Sequence, residues 1–114
     1  MKTLPFVGLL LLANSASAMS LSVPQIQVNR TISADYHCPG GKHFTVIYLN
    51  ATNGQSFAVL PYQGGPVLLV STLSADGVKY QGNALTWWIK GRGGTLFDAR
   101  SDANQPILAD CTTK

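Results

Sequence analysis

The chain contains no glutamate. Its five acidic residues, Asp35, Asp76, Asp98, Asp102 and Asp110, are all aspartate. Glutamate forms helices well and aspartate forms them poorly, and no stretch of the 114 residues keeps a helical period of apolar positions. A large helical enzyme is therefore excluded. Cysteine is almost as scarce, limited to Cys38 and Cys111, so no Cys-x-x-Cys is available for redox or zinc chemistry. The longest apolar run, Leu4 to Ala13, is about half of the roughly 20 residues that a spanning helix needs, which argues against an integral membrane protein. Gly-x-Ser-x-Gly, a phosphate loop and a metal-spaced cluster are all missing. Charge is sparse: a formal +3 over the whole chain is not the dense basic patch of a nucleic-acid binder. A glycosidase would need two carboxylates at a fixed separation, but the scattered aspartates fit turns and strand ends equally well. These absences predict a protein that is not an enzyme and that carries no cofactor or metal.

Apolar residues make up 46% of the chain, which argues for a folded core. The first residues have the layout of a secretory signal: Lys2, the apolar segment Leu4 to Ala13, then Ala16-Ser17-Ala18. Cleavage before Met19 would leave 96 residues with a formal charge of +2, enough for one domain. No cysteine follows the signal, so the expected product is a soluble periplasmic protein, neither a lipoprotein nor membrane-anchored. In an oxidising compartment Cys38 and Cys111 read as a disulfide, with a redox or metal thiol as the alternative. His37 and His43 flank Cys38. Neighbours in a strand point to opposite faces, so both histidines read as solvated surface residues.

Residues 19–32 are polar and alternating, with Pro24 arguing against a central strand. They read as a loose arm or an edge strand. From about residue 33 the chain is a series of short apolar segments between Gly, Pro and Asn turns. These segments are Phe44–Leu49, Ser56–Leu60, Val67–Val70, Val78–Tyr80, Ala84–Ile89, Thr95–Phe97 and Pro106–Leu108. Gly64-Gly65-Pro66 reads as a break. The spacing of turns predicts an all-β domain over 33–114, a small antiparallel barrel of about eight strands whose closure removes exposed edges.

The segment from Leu73 to Gly91 carries the functional signal. Loops near Ser74–Gly77 and Lys90–Gly94, joined by a strand, a turn and a strand, would meet at one end of a barrel. A generic Asp-Gly turn, glycines that merely allow positive φ and a solvated Lys90 would read the same way.

The pattern resembles the family of membrane-bound and periplasmic inhibitors of c-type lysozyme (MliC/PliC). Tyr36-x-Cys38 with Gly41 is similar to the family's opening motif. Leu73-Ser74-Ala75-Asp76-Gly77-Val78-Lys79-Tyr80 resembles its Ser-x-Ser-Gly-x-x-Tyr loop, with Asp76 in place of the second serine. Trp87-Trp88-Ile89-Lys90-Gly91 resembles its aromatic-Trp-x-Lys-Gly motif, and Cys111 its terminal cysteine. The resemblance implies an eight-stranded barrel, a Cys38–Cys111 disulfide and a partner, host c-type lysozyme. In such a complex Ser74, Ala75, Asp76, Gly77, Lys79, Tyr80, Lys90, Gly91 and Arg92 would form the binding set. Lys90 would approach the two catalytic carboxylates, Ser74 would hydrogen-bond, and Gly77 and Gly91 would allow close approach. Asp76 would pair with Lys79 or with a cation on the lysozyme rim. The protein would act as a monomer or homodimer. An adhesin-like binding module on the same scaffold is the alternative.

Overall fold

The computed structural model describes residues 18–114, so the expected signal segment lies outside the described residues, apart from Ala18. Eight strands follow one another: β1 (Val28–Cys38), β2 (Lys42–Ala51), β3 (Ser56–Tyr62), β4 (Gly65–Thr72), β5 (Val78–Gly82), β6 (Leu85–Lys90), β7 (Gly93–Asp98) and β8 (Leu108–Thr112). Each pairs antiparallel with the next, and β8 returns to β1, closing the barrel. The expected all-β barrel with one disulfide is therefore observed. The closing seam is short: His37 faces Thr112, and the adjacent Cys38 and Cys111 are covalently joined.

Alternation in the strands fills the lumen. Val46, Tyr48, Ala58, Leu60, Leu69, Tyr80, Leu85, Trp87 and Leu96 all point inward and are buried. Eight strands leave room for side chains and little else. Trp87 occupies the centre, edge-on to the rings of Tyr36 and Phe44. Its indole N–H donates to the Tyr48 hydroxyl at 2.8 Å, and the Tyr48 and Tyr36 hydroxyls are 2.7 Å apart. The polar tips of the core aromatics thus satisfy one another. Burial pushes both phenols above their ordinary pKa. Gly94 leaves the space that the Trp87 ring fills; a Cβ there would overlap the ring.

Two sequence boundaries differ in the structure. The 19–32 segment divides at Val28: Val28–Ile32 belongs to β1 and pairs with β2. Before it, Leu21, Val23 and Ile26 gather with Leu49, Phe57 and Leu68 on the outer wall. Gly65-Pro66 is not a break but the start of β4. The turn is Gln63-Gly64, both at positive φ, as a two-residue hairpin requires. Pro66 faces Pro61 across that hairpin. The β2–β3 ladder ends at Ile47–Val59 and the β4–β5 ladder at Val70–Gln81, so neither proline removes a ladder bond.

Candidate functional site

The β4–β5 loop (residues 73–77) and the β6–β7 turn (Gly91-Arg92) meet at one rim of the barrel. Three contacts converge on Asp76, one within the loop and two across to β6. The Ser74 hydroxyl donates to the Asp76 carbonyl at 2.7 Å, tying the loop to itself. The Trp88 indole N–H donates to the same carbonyl at 2.8 Å, tying it to β6. The Asp76 carboxylate reaches the Lys90 ammonium at 2.9 Å. Asp76 therefore pairs with Lys90 rather than with Lys79. Lys79 faces Trp88 across the β5–β6 ladder, and its ammonium lies 4.5 Å from the indole ring. Lys90 also lies over that ring, at 4.2 Å. The two cations share one aromatic surface.

Gly77 makes this junction possible. Its φ is +66°, and a Cβ would stand 2.8 Å from Lys90 Cγ and overlap the Ile89 carbonyl. Gly91, at φ +56°, has open space around it and serves the turn alone.

Most of the expected binding set comes together here. Ser74 is half-buried, Ala75, Asp76, Gly77, Lys90, Gly91 and Arg92 are exposed, and Lys79 lies along the adjoining wall. Tyr80 does not join them. It is 5% exposed and its ring packs against Tyr48 in the lumen, because one step from the outward Lys79 turns it inside. Sequence reasoning missed two residues. Trp88 must face outward because its neighbour Trp87 faces in, and that alternation was a usable signal. Leu73, fully exposed at the shoulder of the loop, had no distinguishing signal.

Trp88 also separates two shallow depressions on the outer wall. One is lined by Lys79, Gln81, Thr86 and Phe97, the other by Lys90, Thr95 and Asp110. Elsewhere in the fold Asp98 is buried. Tyr62 donates to it at 2.6 Å, and Arg100 through its backbone N–H and its guanidinium. The Arg100 guanidinium, then Tyr62, hold its carboxyl well below the usual carboxylate range. This knot closes the long β7–β8 connection and reads as structural. Among the described residues, no group of three or more His, Cys, Asp or Glu side chains is placed to hold a metal.

The barrel thus combines a filled lumen with a polar, cation-bearing rim. Residues 36–105 match the family described as membrane-bound lysozyme-inhibitor of c-type lysozyme (MliC), and the chain belongs to that family, whose members inhibit rather than catalyse. A protein of Cupriavidus necator named "Membrane-bound lysozyme inhibitor of C-type lysozyme" is 46% identical over 80 residues, 69% of this chain and 63% of its own length. One of the same name from Pseudomonas aeruginosa is 43% identical over 68 residues, 59% of this chain and 53% of its own length. The match thus spans less than two thirds of each of these relatives. The crystal structure of P. aeruginosa MliC in complex with hen egg white lysozyme superposes with a TM-score of 0.66 at 30% identity, over 89% of this chain and 100% of that one. The periplasmic inhibitor PliC of Salmonella typhimurium, at 20% identity and TM-score 0.66 over 75% of this chain and 99% of its own, shares the fold.

Proposed function

We propose that this protein inhibits c-type lysozyme by seating the Ser74–Gly77 loop and Lys90 in the enzyme's active-site cleft. The observation that carries this reading is the Asp76 junction. Both family motifs converge on it, and it holds Lys90 at an exposed tip between two glycines. The cleft of such a lysozyme holds two carboxylates poised for glycoside cleavage. An ammonium delivered there makes charge-assisted hydrogen bonds and displaces the sugar while offering no cleavable bond. Rigidity matters as much as charge, since a preformed loop loses little conformational freedom on binding. Ser74, Ala75 and Arg92 flank the tip, Lys79 and Trp88 form its wall, and Tyr80 supports β5 from inside. Residues 1–18 act as a cleaved export signal, and the protein works in the periplasm without a lipid anchor.

The test is a cell-wall lysis assay with hen egg white lysozyme and purified protein lacking residues 1–18. Inhibition is expected, and Lys90→Ala should raise the inhibition constant about tenfold or more, the scale for a central charged contact. Absence of inhibition at high micromolar protein would overturn the reading. An unchanged constant for Lys90→Ala would remove Lys90 from the site.

A further inference from the structure

The only two histidines of the chain, His37 and His43, are brought face to face. The Pro39-Gly40-Gly41 turn folds β2 back on β1 so that Cys38 faces Lys42 and His37 faces His43. Gly40 and Gly41 both have positive φ with open space around them, which permits this tight return. Cys38 points inward to its disulfide and His37 points outward, as adjacent strand residues must. Both imidazoles are exposed on the outer wall, with ring centroids 5.9 Å apart and planes tilted by 33°.

That spacing is close to what one metal ion demands. Zinc–imidazole bonds are about 2.1 Å long, so two rings on one tetrahedral ion have centroids about 5 Å apart. The remaining gap is under about 1 Å, and both side chains are exposed. A directly opposed pair on a ladder also fixes the Cα separation, so little backbone freedom is lost on chelation. Asp35 lies one step further along the same face of β1, opposite Thr45, whose hydroxyl donates to its carboxylate at 2.5 Å. It adds a negative charge beside the pair. Lys42, one step from His43, alternates to the other side of the pleat.

We propose that His37 and His43 form a two-histidine site for an imidazole-preferring divalent ion, of the class zinc, nickel or copper, with water completing the coordination. The sequence hid it, because spacing along one strand speaks only of His37 and Cys38. The site clamps β1 to β2 beside the closing seam, where His37 also faces Thr112. The pairings Lys90–Gly93, Gly93–Thr112, Thr112–His37 and His37–His43 form one continuous row across the wall. At about 4.8 Å per strand, His37 stands roughly 14 Å around the surface from Lys90. The histidines therefore do not touch Lys90, and metal binding is read without lysozyme present, so the two readings are tested separately.

The experiment is titration of the protein with zinc chloride at pH 7.5, read by the ring NMR signals of the two histidines and by calorimetry. Both rings should shift together and saturate at one ion per chain. His37→Gln and His43→Gln should each weaken binding by more than tenfold, while their melting temperatures without metal match the parent's, because both side chains are exposed. Response of one ring alone, no saturation up to millimolar zinc, or single variants that bind like the parent would each overturn the proposal.

Discussion

Asp76→Ser gives the sharpest test of how the rim works. The substitution deletes the carboxylate that pairs with Lys90 but leaves the backbone carbonyl that accepts from Ser74 and Trp88. The loop should therefore keep its shape. The deleted ion pair is exposed, with 51% of the Lys90 side chain and 70% of the Asp76 side chain accessible. Exposed pairs are worth about 0.2–1 kcal/mol. That is too little to withhold Lys90 from a pair of carboxylates in a desolvated cleft. It is enough to tax the transfer, by up to about fivefold in affinity. Asp76 also brings a like charge toward those carboxylates, which adds to the penalty. The expected result is tighter inhibition by Asp76→Ser, about two- to tenfold, with a melting temperature within a few degrees of the parent. The assay is the inhibition constant against hen egg white lysozyme at low and high salt, combined with Lys90→Ala in a double-mutant cycle. The gain should shrink with salt, and with Lys90 absent it should fall to the part that comes from direct repulsion between Asp76 and the cleft carboxylates. Weaker inhibition by Asp76→Ser would refute the reasoning and place the carboxylate against a cation of the enzyme.

Gly77→Ala should act in the opposite sense. Its φ of +66° costs an L-residue about 1–2 kcal/mol, and the new Cβ would displace Lys90 Cγ, so inhibition should fall more than tenfold while the barrel still folds. Retained inhibition would show that the junction is not needed. Replacing Cys38 and Cys111 together by alanine frees a loop of 73 residues. In the chain-entropy model that loses about 4 kcal/mol, which for a domain of this size is a drop of roughly 15–30 °C in thermal unfolding. A fall below about 5 °C would mean that the short β1–β8 seam holds without its staple. The Asp98 knot predicts acid sensitivity. The native carboxyl is held below its unfolded pKa, so its contribution is complete above about pH 5 and drains away as the pH falls toward the native value. Asp98→Asn should therefore melt below the parent at pH 7, and the gap should narrow by pH 3. A gap that stays constant would remove Asp98 from the acid response.

Much of the barrel was legible because its turns are chemically explicit. Asn53-Gly54 stands between β2 and β3 as a hairpin signal, and inward residues such as Val46, Tyr48 and Leu60 alternate with outward ones. The start of β1 was harder to see. Val28–Ile32 is exposed along its whole length, with Asn29, Arg30 and Thr31 between its two aliphatic ends, and it is a strand because β2 extends far enough to pair with it. The Gly65-Pro66 start of β4 was obscured for a related reason: proline is tolerated where the neighbouring ladder has already ended. At the rim, motif order located two loops that the fold brings together, but partner choice depended on strand geometry. Lys79 looks nearer to Asp76 along the chain, yet the ladder commits it to the Trp88 ring and leaves Asp76 to Lys90. Tyr80 sits inside a motif that points outward, and only the parity of β5 reveals that its ring belongs to the core.

The neighbouring tryptophans have one further consequence. Trp87 is sealed in the lumen and Trp88 lies on the rim wall under two cations, and the chain has no other tryptophan. The protein therefore carries two intrinsic fluorophores with different duties, one residue apart. Emission from Trp87 should report solvent entry during unfolding, and emission from Trp88 should report events at the rim. A Trp88→Phe background would let an optical experiment follow folding alone, and a Trp87→Phe background binding alone, without an attached label.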